Sequence, residues 1–134
     1  MSAEKITSPI PAEKAESSGK SAWDVKELMI RLEGDHELLR ELLQMFRTDA
    51  ETNMRLAADS LMRGDLESAG RAAHTLKGML KNLAMNGPAE IAAALENAAR
   101  DKNAQELAAQ MPLLEKALNE LRPEIESQLT EVHV

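Results

Sequence analysis

One histidine in this chain has neighbours fit for chemistry. His74 lies in the run GRAAHTLKGMLKNLAM, residues 70–85. A helix turns about 100° per residue, so Leu66, Ala69, Ala73, Leu76, Leu80 and Leu83 share one side of it. His74 projects roughly opposite them, toward solvent. Arg71 and Lys77 stand three residues away in the two directions, and Lys81 stands seven on. Three cations around one ring form a local anion site. They disfavour the imidazolium and leave a nitrogen lone pair free, which makes the ring a nucleophile. They also suit the oxygens of a transferring phosphoryl group, whose transition state needs positioning and charge stabilisation. Gly70 and Gly78 lie one turn either side. Glycine inside a helix costs up to about 1 kcal/mol relative to alanine. The return expected here is space for a bulky partner to reach the ring. Each feature has a plainer reading. An exposed histidine is often only surface, a helical glycine can be a packing choice, and basic residues near a helix C-terminus favour its dipole. Their coincidence on one face favours the chemistry.

Helices must position this face. The sequence has 134 residues, 43% of them apolar, and Trp23 and Phe46 are its only aromatic residues. An aliphatic core rich in Leu, Ala and Met, without β-branched runs, predicts an all-α fold. A short helix is expected over about 22–32, ending at Gly34. Asp35 caps a long helix over about 36–63, and Asp65 caps a third over about 66–85. Asn86-Gly87 reads as a stop, with Pro88 in the first turn of a fourth helix over about 88–101. A fifth spans about 104–129, where Pro112 and Pro123 are expected to kink or split it. Tight turns between long amphipathic helices give an antiparallel four-helix bundle, with the short N-terminal helix over one end. Residues 1–20, mixing Pro, Ser, Glu and Lys, read as a flexible tail or linker. The bundle domain occupies 21–130, and 131–134 form a C-terminal tail.

Composition excludes several function classes. There is no cysteine, so thiol chemistry, disulfides and cysteine-built zinc sites are out. A formal net charge of −7 argues against broad nucleic-acid binding. No apolar run could span a bilayer and no signal peptide is recognisable, so a cytoplasmic location is expected. His36 follows an N-cap and His133 is in the C-terminal tail; both read as structural or incidental, so no metal site is expected. No phosphate-binding glycine loop and no G-x-S-x-G elbow occur, so the chain is no self-sufficient kinase. Met79 and Met85 read as core residues, or as adaptable surface beside His74.

The segment AHTLKG, residues 73–78, resembles the phosphorylation motif A-H-x-L-K-G of histidine phosphotransfer (HPt) domains. LEGDHELLRELLQMF (32–46) and LMRGDLESAGRAAHTLKG (61–78) resemble the family's second helix and tight turn. KNL (81–83) and ALENAAR (94–100) resemble its remaining helices. The likeness covers about residues 22–127. It implies that His74 is phosphorylated, that Lys77 neutralises the phosphoryl oxygens and that Gly78 leaves room for the partner. It places Glu96 where a polar side chain from the neighbouring helix orients the imidazole, although a solvated surface acid fits that position equally. Arg71, Gly70 and Lys81 rest on helix geometry alone. The sequence departs from the family after the motif glycine, where Met79, Leu80 and Lys81 are large, and at Ala84, where glycine is frequent.

The resemblance implies a phosphorelay intermediate. A receiver domain's phosphoaspartate would donate to His74, which would pass the group to another receiver. Magnesium would belong to the receiver, because this chain offers no carboxylate cage. The expected protein is a monomer without cofactor, nucleic-acid partner or membrane insertion. Two alternatives are a helical adaptor that binds receivers without being phosphorylated, and the phosphoacceptor segment of a larger sensor kinase.

Overall fold

A computed structural model describes residues 23–130; both expected tails lie outside the described residues. Five helices follow one another: α1 (Val25–Arg31), α2 (His36–Met62), α3 (Leu66–Asn82), α4 (Asn86–Arg100) and α5 (Ala104–Thr130). No strand occurs among the described residues.

Local chemistry sets the boundaries. The side chains of Asp35 and Asp65 accept from the backbone N–H of Leu38 and Ser68 at 3.0 and 3.1 Å. Asn103 does the same for Glu106 at 3.0 Å. Each such cap satisfies a donor that a helix start leaves open and contributes about 1 kcal/mol. Gly34 and Gly64 stop α1 and α2 at φ 77° and 76°, where a side chain would be strained.

The third stop departs from expectation. α3 ends at Asn82, three residues early, and Asn86-Gly87 opens α4 instead of ending α3. Ala84 makes the turn at φ 59°, a conformation that favours glycine. Pro88 lies in the first turn of α4, as expected, and is buried there. Pro112 and Pro123 do not split α5, which runs unbroken through both. Both are exposed, so the carbonyls they leave without an N–H partner can be met by water.

Short turns make successive helices antiparallel neighbours. α3 packs between α2 and α4, and α5 closes the ring against α4 and α2. Leu39, Leu43, Leu76, Leu80, Leu95 and Leu114 fill the middle, each 1% exposed or less. Met85 is fully buried and Met79 packs against the core. Neither is a free surface beside His74.

α1 covers the end of the bundle at which α3 stops. The Trp23 indole N–H donates to the Leu83 carbonyl at 2.8 Å. The Asp24 N–H donates to the Ala84 carbonyl at 2.9 Å. Arg31 reaches the carbonyls of Lys81 and Asn82, both at 3.2 Å. These bonds satisfy acceptors that the C-terminus of α3 leaves open.

α3 and α4 pack closely, and small residues of both helices, Ala69, Ala73, Ala92 and Ala99, are buried. Side chains this short let two helices approach closely. That closeness brings a side chain of α4 onto the face that carries His74.

Candidate functional site

His74 stands in the middle of α3 with 66% of its side chain exposed, and the helical register places it opposite the core. Its Nδ1 lies 2.8 Å from Oε2 of Glu96 on α4. Lys77 lies 2.7 Å from the other oxygen, Oε1, and is mostly covered at 25% exposure. Glu96 is itself only 16% exposed. The hydrogen bond from Lys77 pulls the Glu96 carboxyl below the ordinary carboxylate range; burial opposes this and the His74 bond adds to it. Glu96 is therefore an anion at neutral pH. An anionic carboxylate only accepts hydrogen bonds, so it selects the ring tautomer with hydrogen on Nδ1. The lone pair of the neutral ring is then on Nε2, which makes no hydrogen bond among the described residues.

The two glycines serve different ends. A Cβ built on Gly78 would meet nothing within 4 Å, so bare backbone and open space adjoin the ring one turn on. A Cβ on Gly70 would lie 2.9 Å from the Ala99 Cβ. Gly70 is thus a packing glycine that admits α4, and the expectation that it clears space for a partner is corrected. The close approach it permits is what brings Glu96 to the ring.

The cations also separate. Arg71 pairs with Glu67 at 3.3 Å and bonds the Ser68 hydroxyl at 3.1 Å, so it is engaged with the first turn of its own helix. Lys81 is exposed and forms no ion pair among the described residues. Of the three cations expected around His74, only Lys77 is tied to the ring, through Glu96. Sequence reading missed a fourth. Arg100, one turn beyond Glu96 on α4, places Nη2 3.7 Å from Glu96 Oε2 and remains 63% exposed. The signal was its i,i+4 spacing from Glu96, which has meaning only once Glu96 is known to face His74.

A groove runs from His74 toward the α2–α3 turn, bordered by Gly70, Arg71, Thr75, Glu96, Ala99 and Arg100 among others. A second groove between α2 and α5 is floored by Phe46, Ala50 and Ile125, and no histidine borders it. No cluster of three or more His, Cys, Asp or Glu side chains suited to a metal occurs among the described residues. None of the described helices is long and apolar enough to cross a membrane.

The chemistry the arrangement can perform is nucleophilic attack by Nε2 from an exposed face.

The family model of the Hpt domain matches residues 41–131, more than half of the chain. No curated protein and no solved structure matches. The match spans α2 to α5 and includes His74, Lys77, Gly78 and Glu96, while α1 precedes it. The chain belongs to the Hpt domain family, the histidine phosphotransfer domains of phosphorelays, which interact with receiver domains.

Proposed function

We propose that Nε2 of His74 accepts a phosphoryl group from the phosphoaspartate of a receiver domain and passes it to another receiver. The observation that carries this reading is the 2.8 Å contact of Nδ1 with Glu96 on a ring that is otherwise open. Attack by the Nε2 lone pair forms a P–N bond as the P–O bond to the aspartate breaks. The electron pair leaves with the aspartyl oxygen. The proton on Nδ1 stays in place, and the Glu96 anion balances the positive charge that the ring gains. Lys77 keeps Glu96 ionised and adds positive charge near the incoming oxygens. Gly78 leaves the approach clear. A divalent ion, where transfer needs one, belongs to the receiver. The chain works as a cytoplasmic monomer in short-lived encounters of modest area.

The test is to incubate the protein with a phosphorylated receiver and follow acid-labile, base-stable label on the wild type and on His74→Gln. Label on the wild type alone supports the relay. Binding without label on the wild type, across the receivers tried, replaces it with the adaptor reading. Label that comes only from ATP and a kinase domain replaces it with the sensor-kinase reading.

A further inference from the structure

We infer, on the basis of the phosphotransfer reading, that Arg100 is the residue that grips the phosphoryl oxygens at His74, while Lys77 serves as the fixed counter-ion of Glu96. Two basic side chains approach Glu96, and they differ in what they are free to do. Lys77 is three-quarters covered, and its ammonium sits 2.7 Å from Oε1. That is a full charge-assisted hydrogen bond, and moving Lys77 away would leave a mostly buried carboxylate unpaired. Arg100 lies 3.7 Å from Oε2, beyond hydrogen-bond length, and is 63% exposed. Its short bond is to the neutral Asn97 side chain at 2.6 Å.

Charge bookkeeping points the same way. Lys77 alone balances Glu96, so the Arg100 charge is in surplus at the site. Oε2 is also the oxygen that holds His74 Nδ1, so the guanidinium lies close to the ring. Arg100 borders the groove that opens beside His74, whereas Lys77 does not. A phosphoryl group on Nε2 presents oxygens with net negative charge to that groove. A guanidinium can donate two parallel N–H bonds to two of them, which an ammonium cannot. In the transfer step the P–O bond to the receiver's aspartate breaks as the P–Nε2 bond forms, and the electron pair departs on the aspartyl oxygen. Arg100 exchanges its neutral Asn97 partner for the phosphoryl oxygens, and no proton changes place.

The plainer role for Arg100 is structural, as a cation at the C-terminus of α4 that favours the helix dipole. The experiment separates the two. Transfer from a receiver phosphorylated with acetyl phosphate is timed for the full chain, Arg100→Ala, Arg100→Lys and Lys77→Ala. Thermal midpoints and ¹⁵N shifts of the His74 ring are recorded alongside. Arg100→Ala is expected to slow transfer about tenfold, the worth of one charge-assisted hydrogen bond. Its midpoint and its Nδ1–H tautomer stay as in the wild type. Arg100→Lys recovers part of the rate. Lys77→Ala alters the ring tautomer, because Glu96 loses its counter-ion. Wild-type rates in Arg100→Ala, with the wild type active, overturn the inference alone. A lowered midpoint at unchanged rate does the same and establishes the structural role. A wild type that takes no label overturns the phosphotransfer reading and this inference together.

Discussion

Nδ1 of His74 is held 2.8 Å from Oε2 of Glu96, a residue on the next helix and 22 positions along the chain. The bond decides which nitrogen is the nucleophile. A carboxylate fixes hydrogen on Nδ1, whereas an amide can donate to that nitrogen as readily as accept from it. Glu96→Gln is therefore expected to convert one neutral tautomer into a mixture, seen in the ring ¹⁵N shifts. Transfer should slow roughly tenfold, as for the loss of one good hydrogen bond. A single Nδ1–H tautomer in the variant would show that Glu96 does not set it.

The same carboxylate predicts a pH effect on stability. The bond from Lys77, aided by the one from His74, lowers the folded-state pKa of Glu96 below its ordinary value of 4.5. The unfolded chain then binds more protons than the native one in the window below that value. The contribution of Glu96 is complete at neutral pH and is lost as pH falls from about 4.5 through the lower folded value. Denaturant titrations should give Glu96→Gln a shallower decline of stability in that acid range than the wild type. Parallel declines would contradict the assignment.

Gly70 and Gly78 are on one helix and would gain equal helix propensity from alanine, but the outcomes should have opposite signs. Gly78→Ala meets open space and should stabilise by about 0.5–1 kcal/mol. Gly70→Ala sets a Cβ 2.9 Å from that of Ala99, which has no rotamer to yield, so α3 and α4 must part. A net loss of about 1–2 kcal/mol is expected. Gly78→Gln should keep the fold and weaken receiver affinity. Thermal or chemical unfolding reads the first pair, and calorimetry against a receiver reads the last.

Three turns carry side chains at positive φ, at Glu33, Ala84 and Lys102, and the last two should respond differently to glycine. Lys102, at φ 57° in the exposed α4–α5 turn, should accept glycine with a gain of about 0.5–1 kcal/mol. Ala84, at φ 59°, is fully buried. Its glycine variant relieves the same strain but loses a buried methyl worth about 0.8 kcal/mol, so the net change should be near zero. Equal gains at the two positions would contradict this account.

The sequence was legible wherever a local signal sufficed. Asp35 and Asp65 as caps, Gly34 and Gly64 as stops, and the aliphatic stripe of α3 all act within one or two turns. The solvent side of His74 follows from the same periodicity. Asn86-Gly87 misled because the stop at Ala84 lies in a backbone angle, held by the Asp24 N–H on its carbonyl and by burial of its methyl. Neither is visible in a pattern of residue types. The role of Gly70 depends on Ala99, and that of Arg100 on Glu96 facing α3. Both are relations between helices, beyond the reach of spacing along one. Register gives the side of α3 on which Arg71 lies, beside the groove that His74 borders, but its pairing with Glu67 is set by side-chain geometry.

The most direct test of the central claim is to find where the phosphoryl group goes. The protein, with its histidines labelled with ¹⁵N, is treated with a phosphorylated receiver and examined by ¹⁵N and ³¹P NMR. The expected spectrum has phosphorus bonded to Nε2 of His74 while Nδ1 keeps its hydrogen. Phosphorus on Nδ1, or on no atom of His74, would contradict the account.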